Sequence, residues 1–240
     1  MIDFHFSPTP NGLKVRLFLE EAELACRIVP VNLSRGEQLR PEYLRISPNG
    51  KIPAIVDYAP NGGGEPITIF ESGAILVYLA EKTGRFMPRD LRGRMDVLRW
   101  VFWQVGGLGP MAGQIGHFNV FAPEKVPYAI DRYTREVHRL YGVLDRRLAG
   151  REYVAGDYSI ADMACYPWVL PWERQGQNIE DFPHLKRWLE AIKARPAVVK
   201  AYEWTPKINP GAGGIRTAEE RAILFGQTAK SIAEAVAAKQ

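Results

Sequence analysis

Two stretches are the most informative about the structure of this chain: Ser47-Pro48-Asn49-Gly50-Lys51-Ile52-Pro53-Ala54-Ile55, and further on Phe70-Glu71-Ser72-Gly73-Ala74-Ile75. In the first stretch a turn leads to a proline that heads an apolar strand, and in the second a strand passes directly into a helix. Because proline lacks a backbone N–H, it marks an edge or the beginning of a strand. A cis Ile52-Pro53 bond would turn the Ile52 N–H and C=O toward an extended ligand, whereas a trans proline would open an ordinary edge strand.

The patterns around these stretches predict a first domain that mixes strands and helices. Apolar residues follow one another at helical spacing after the loop Ser7–Gly12, and a second helix begins at Ser72 and ends at Gly84. The predicted strands are residues 2–6, 26–31, 53–57 and 67–70. With a short helix after the second strand, the order is βαβαββα, that of an α/β thioredoxin-like domain over residues 1–84.

Beyond Leu91 the strand signals nearly vanish and helical periodicity takes over. The helical patterns cover residues 91–118, 124–149, 161–175, 183–194 and 197–203. Ser159-Ile160-Ala161-Asp162 has the spacing of a capping box, with Asp in place of the usual Glu. We therefore predict an all-α helical bundle over residues 91–204. Residues 205–240 are predicted to form a C-terminal extension that contains a terminal helix after Thr217.

Composition and charge exclude several classes of protein. With 46% hydrophobic and 24% charged residues, the chain can bury a large core and is not a disordered polypeptide. Its 31 basic and 27 acidic residues are interspersed, which argues against a nucleic-acid track. The longest apolar run, Ala74 to Ala80, has seven residues and is too short for a bilayer, which needs about 20. We expect no membrane partner.

The beginning of the chain and its cysteines indicate a cytoplasmic protein. Residues 1–6 form a strand pattern and lack the features of a secretory signal. Cys26 and Cys165 are far apart and belong to no Cys-x-x-Cys or Cys/His cluster, so we expect reduced thiols and no metal site.

Two junctions in the first domain carry candidate chemistry. At Phe70-Glu71-Ser72-Gly73 the helix N-terminus can hold a carboxylate while Glu71 holds an ammonium, which suits a zwitterionic amino-acid head group. Simple N-capping by Ser72 is the alternative. In the loop Ser7–Gly12, Thr9 or Asn11 can donate a hydrogen bond to a thiolate, whose pKa the helix dipole would lower.

Taken together, these motifs resemble the glutathione transferase family, and in particular its bacterial Nu class. The motifs that carry the resemblance are Pro8-Thr9-Pro10-Asn11-Gly12, Ser34-Arg35-Gly36-Glu37-Gln38, the two stretches quoted first, and Trp103-Gln104-Val105-Gly106-Gly107-Leu108-Gly109-Pro110-Met111. The resemblance covers about residues 1–204. It implies the glutathione transferase fold, a thioredoxin-like domain followed by a helical domain.

The resemblance also implies a role for particular residues toward glutathione. They are Thr9 and Asn11 at the sulfur, Ile52 at the cysteinyl backbone, Glu71 and Ser72 at the γ-glutamyl head, Gln38 and Lys51 at the glycine carboxylate, and Arg132 from the partner subunit. We prefer Thr9 to Ser7 as the catalytic hydroxyl, because the Pro-Thr-Pro-Asn string matches the Nu class. For Arg132 a solvated helix face is the alternative, since Arg135 and Arg139 follow nearby.

The implied activity is a glutathione-dependent disulfide-bond oxidoreductase, with reduced or oxidised glutathione as co-substrate. The thiols of two glutathione molecules would reduce a small disulfide, and organic hydroperoxides would be a side substrate. One alternative is a transferase that conjugates glutathione to electrophiles, and another is a non-catalytic regulatory protein that binds glutathione. The resemblance further implies a homodimer.

Overall fold

The computed structural model describes residues 1–208 and 217–237. Its contacts divide the chain into two compact units. One consists of Met1–Ile75 with the described residues from Lys200 onward, and the other of Leu76–Val199. The division passes through two helices, so the domain boundaries drawn near residues 84 and 204 stay sequence predictions.

The first unit contains a mixed four-stranded sheet in the order β2-β1-β3-β4. The strands are β1 (Ile2–Phe6), β2 (Cys26–Pro30), β3 (Ala54–Asp57) and β4 (Ile67–Phe70). β1 pairs in parallel with β2 and antiparallel with β3, which pairs antiparallel with β4. The central strands are the most deeply buried, with Phe4 and Ile55 fully enclosed, so the core of this unit lies along β1 and β3. The predicted βαβ unit and hairpin are confirmed.

The first helix of this unit is held at the carboxyl end of β1. α1 (Pro10–Glu21) begins with Thr9 as its N-cap and a proline in its first turn. Gly12 allows the tight approach of the loop, because a Cβ there would lie 2.4 Å from the Ser7 carbonyl oxygen. α2 (Pro41–Leu44) is short, and α3 (Ser72–Thr83) follows β4 directly. The predicted order βαβαββα is thereby confirmed.

The second unit is helical, as predicted. Its helices are α4 (Leu91–Trp103), α5 (Gly109–Gly116), α6 (Pro127–Leu148), α7 (Ile160–Val169), α8 (Pro183–Lys193) and the beginning of α9 (Pro196–Ile208). π-helical turns at Gln104–Leu108 and His117–Phe121 flank α5, so the predicted pattern 91–118 is interrupted rather than uniform. Gly109 packs closely, since a Cβ there would lie 2.7 Å from Gln104 Nε2.

Asp162 organises the beginning of α7. Its carboxylate is fully buried and accepts hydrogen bonds from the Val154 and Ser159 N–H groups and from Trp188 Nε1, at 2.8 to 3.0 Å. Burial raises the pKa of Asp162 to about 6, while these hydrogen bonds act in the opposite direction. The predicted capping box at Ser159 is confirmed. The hydrogen bonds of Asp162 thus connect the loop before α7 with α7 itself and with α8.

The C-terminal segment packs on the first unit. The predicted terminal helix is two helices, α10 (Ala218–Phe225) and α11 (Ala229–Ala237), and Thr217 caps the first in a capping box. α10 lies against the 3-10 turn Leu33–Arg35, where Ile223 Cγ2 would meet a Cβ added at Gly36 at 3.5 Å. Among the described residues, no helix is long and apolar enough to cross a bilayer.

Candidate functional site

A cavity of about 150 Å³ opens in the first unit where β1, β3 and β4 meet their flanking loops. Its lining is formed by Asn11, Ser47, Asn49, Lys51, Ile52, Pro53, Phe70, Glu71 and Ser72. Polar groups therefore converge at the strand ends of an α/β sheet, which is the usual place for ligand binding in such folds. Five of the predicted site residues meet here: Asn11, Lys51, Ile52, Glu71 and Ser72.

Ile52 and Pro53 form one wall of the cavity. The predicted cis peptide bond between them is confirmed. The Lys51 carbonyl oxygen accepts hydrogen bonds from Tyr43 Oη at 2.8 Å and Ser47 Oγ at 2.9 Å, which hold the turn before Ile52 in place. Within the described part of the chain, neither the N–H nor the C=O of Ile52 forms an intramolecular hydrogen bond. Since backbone groups in a protein are normally paired, this edge is ready to pair with an extended ligand.

Glu71 and Ser72 line the cavity at the N-terminus of α3. Glu71 adopts φ = 70°, a left-handed conformation that costs a residue with a side chain roughly 1 to 3 kcal/mol. Its carbonyl oxygen accepts the Ile75 N–H at 2.9 Å and so starts the helix. The bend brings the Glu71 carboxylate and the buried Ser72 to the same cavity as the free N–H groups of the first helical turn. An ammonium and a carboxylate can both be held there.

Thr9 and Asn11 lie in the loop that leads into α1. Thr9 Oγ1 accepts the Gly12 N–H at 3.3 Å, so its own hydroxyl proton can be donated elsewhere. Asn11 lines the cavity, whereas Thr9 is not among the lining residues. Ser7 is buried. The choice of Thr9 over Ser7 as the group that faces the sulfur stays a prediction.

The two residues predicted at the glycine carboxylate have different surroundings. Lys51 lines the cavity and is exposed, and its Nζ donates to Gln227 Oε1 in the C-terminal segment at 3.1 Å. Gln38 is buried outside the lining, and its Nε2 donates to the Leu33 carbonyl oxygen at 3.3 Å. The role of Lys51 is therefore better supported by the geometry than that of Gln38.

Arg132 belongs to the second unit. It lies on α6 with 58% of its side chain exposed, and its guanidinium is 4.0 Å from Glu136. This weak surface contact leaves the guanidinium accessible to solvent. Its predicted role toward a neighbouring subunit stays a prediction.

Comparison with known proteins shows the family. The glutathione S-transferase N-terminal domain matches residues 1–81, and the glutathione S-transferase C-terminal domain matches residues 108–196. The chain belongs to the glutathione S-transferase family. The predicted family and fold are thus confirmed.

Similar proteins come from several bacteria. The disulfide-bond oxidoreductase YfcG of Escherichia coli is 58% identical over 202 residues, which are 84% of this chain and 94% of that protein. A glutathione transferase of Burkholderia graminis, solved with two glutathione molecules per subunit, is 46% identical with a TM-score of 0.79, covering 84% of this chain and 87% of its own. A glutathione transferase of Pseudomonas putida, solved with one glutathione disulfide per subunit, is 44% identical with a TM-score of 0.78. The match covers 83% of this chain and 90% of that one.

Sequence reasoning missed several residues at the site of this glutathione S-transferase. Ser47, Asn49 and Phe70 line the cavity, although the sequence motifs that contain them assign no role to their side chains. Lys14 was also missed: it is almost fully buried in α1, and its Nζ donates to Ser72 Oγ at 3.2 Å. The available signal was a lysine four residues before Phe18, within the apolar stripe of a helix.

The two cysteines of this glutathione S-transferase lie away from the lining of the cavity. Cys165 is fully buried in α7, and Cys26 is partly buried at the beginning of β2. Burial raises the pKa of the Cys26 thiol, which keeps it protonated at neutral pH. Neither environment is that of a reactive thiolate.

Proposed function

We propose that this glutathione S-transferase is a Nu-class disulfide-bond oxidoreductase that reduces small disulfides with two glutathione thiols. The observation that carries the proposal is a polar cavity that joins the open backbone of Ile52 to the head-group site at Glu71 and Ser72, without a protein thiol in its lining. The name of the E. coli relative and the glutathione and glutathione disulfide in the related structures support it.

The proposal assigns each part of glutathione to a part of the cavity. The cysteinyl N–H and C=O pair with the open N–H and C=O of Ile52, as a strand pairs with a sheet edge. Glu71 binds the γ-glutamyl ammonium, and Ser72 with the first N–H groups of α3 binds its carboxylate. Lys51 reaches the glycine carboxylate, with Gln38 in a supporting position.

The reaction proceeds by two thiol–disulfide exchanges. A glutathione thiolate attacks one sulfur of the disulfide, the S–S bond breaks, and the first product leaves as a thiolate that takes up a proton. A second glutathione thiolate attacks the glutathione sulfur of the mixed disulfide, which releases the second thiol and leaves glutathione disulfide. Thr9 and Asn11 donate hydrogen bonds to the attacking thiolate, and the N-terminus of α1 adds its positive end.

We further propose that the enzyme works as a cytoplasmic homodimer, in which Arg132 serves the site of the partner subunit. Large apolar side chains lie exposed on α4 and next to Arg132 on α6, where they would be costly in a monomer. They are Leu91, Met95, Phe102 and Tyr128. A symmetric pair of subunits would cover such patches. Sedimentation at micromolar concentration tests this, and a monomer would contradict it.

The activity is tested by comparing turnover of bis(2-hydroxyethyl) disulfide, cumene hydroperoxide and 1-chloro-2,4-dinitrobenzene, each with glutathione. The proposal expects the disulfide to be the best substrate and the hydroperoxide a slower one. Faster conjugation of the chlorinated aromatic would favour the transferase alternative. Glutathione binding without turnover of any of the three would favour the regulatory alternative.

A further inference from the structure

Lys14 is a buried cationic residue directly behind the proposed head-group site. It lies in the second turn of α1 with 1% of its surface exposed, and its Nζ donates to Ser72 Oγ on α3 at 3.2 Å. Lysine is almost never fully buried in proteins unless it is paired, because its desolvation is costly. The disulfide exchange proposed above makes no use of it.

The chemistry of the two groups gives this contact a direction. A lysine ammonium has only donors, whereas a serine hydroxyl has one donor and two acceptor positions. When Lys14 donates to Ser72 Oγ, the hydroxyl proton of Ser72 points away from the lysine. Since Ser72 also lines the cavity, its proton becomes available to a ligand there. A hydroxyl held in this way suits an anion and not a cation.

We propose that Lys14 is a positioning residue that fixes Ser72 as a donor to the α-carboxylate of the γ-glutamyl group. Lys14 thereby sets the preference of the cavity for a carboxylate at the N-terminus of α3. The neighbouring Glu71 carboxylate is left for the ammonium of the same head group. The proposal rests on the glutathione site proposed above. It assigns the preference for a carboxylate at the N-terminus of α3 to a residue that the ligand does not touch.

The test measures binding of two ligands by calorimetry: glutathione, and 4-aminobutanoyl-cysteinylglycine, which lacks only the α-carboxylate. In Lys14→Met, glutathione should bind about ten- to a hundredfold more weakly, the range for a lost hydrogen bond to a charged group. The dissociation constant of the analogue should stay the same. In turnover, KM for glutathione should rise while kcat at saturation changes little.

Arg16 supplies a matched control on the same helix. It is also buried and cationic, but it pairs with Glu20 and not with the site. Lys200 lies 2.7 Å from Glu20, so that carboxylate keeps a partner in Arg16→Met. This variant should lose stability and keep the preference for glutathione over the analogue.

Two further variants show whether Lys14 acts through Ser72. Lys14→Arg keeps a donor-only group and should retain most of the preference, whereas in a Ser72→Ala background Lys14→Met should weaken glutathione binding no further. If Lys14→Met does not fold, Ser72→Ala alone must weaken glutathione and spare the analogue. Equal weakening of both ligands, or of neither, overturns the proposal while leaving the glutathione site intact. A wild-type protein that binds no glutathione overturns both.

Discussion

Replacing both cysteines with alanine tests where the reactive sulfur comes from. If glutathione supplies both thiols, the Cys26→Ala/Cys165→Ala variant should keep most of its disulfide-reductase turnover. The structure gives the reason, because Cys165 is fully buried and burial raises the pKa of the Cys26 thiol. The Cys26 thiol is therefore held protonated at neutral pH, and Cys165 is closed off from solvent and from the substrate.

The double replacement should lower the free energy of unfolding without otherwise impairing the protein. Removing a fully buried sulfur from α7 is comparable to deleting one buried methylene, about 1 kcal/mol with the cavity that it leaves. Cys26 is only partly buried and should cost less. A total of about 1.5 kcal/mol is small beside the roughly 5 to 15 kcal/mol that stabilise a typical domain, so the variant should fold.

The companion variants concern Thr9, and they separate its two roles. Thr9→Ala loses both the cap of α1 and the hydroxyl donor, so turnover should fall about ten- to a hundredfold together with some stability. Thr9→Asp keeps a capping oxygen but has no proton to donate and brings a negative charge, so it should fold well and turn over poorly. Thr9→Ser should keep both properties.

The assay is steady-state reduction of bis(2-hydroxyethyl) disulfide by glutathione, with thermal unfolding measured on the same preparations. A dead double-cysteine variant beside an active Thr9→Ala would refute the reasoning. That pattern would place a protein thiol in the cycle, as in glutaredoxin-like or omega-like enzymes.

Other predictions follow from contacts of single residues. Glu71→Gln should lower the affinity for glutathione about ten- to a hundredfold by calorimetry and leave the affinity for glutaryl-cysteinylglycine, which lacks the ammonium, unchanged. Equal losses of affinity for the two ligands would place the head group elsewhere. Gln227→Ala should release Lys51 from its hydrogen bond and raise the affinity for glutathione about two- to tenfold. The affinity for γ-glutamylcysteine, which lacks the glycine carboxylate, should not change, and an unchanged affinity for glutathione would contradict the prediction. With its pKa raised to about 6, Asp162 favours folding in its protonated form, so its contribution should be lost as pH rises from about 4 to 6. Denaturant unfolding measures the free energy of unfolding of the wild type relative to that of Asp162→Asn, and this difference should fall by about 3 kcal/mol over that pH range. A difference that stays constant with pH would mean that the hydrogen bonds to Asp162 outweigh the effect of its burial.

The features that could be predicted from the sequence are those encoded within a few neighbouring residues. The cis bond at Ile52-Pro53 and the capping box at Ser159 depend on short motifs, and both are confirmed. The contacts missed are long-range: Lys14 meets Ser72 across 58 positions, and Lys51 meets Gln227 across 176. No local pattern records such pairs, because they arise only when separate elements pack. The lysine in the α1 stripe was the one local sign.

The polar groups at the cavity and those in the stabilising elements differ in whether the protein itself supplies their partners. Binding and stability therefore depend on different residues of the chain. At the cavity, Glu71 holds a left-handed backbone and Ile52 leaves its backbone groups open, and a bound ligand can pair the open groups of Ile52. At Asp162 the buried carboxylate is already satisfied by its own chain. Bound glutathione should therefore raise the unfolding temperature of the wild type by mass action, since a ligand that binds only the folded state stabilises it. Asp162→Ala, which leaves these buried donors without an acceptor, should lower that temperature while leaving the glutathione-induced increment unchanged. Glu71→Gln should shrink the increment, because only this change touches the ligand.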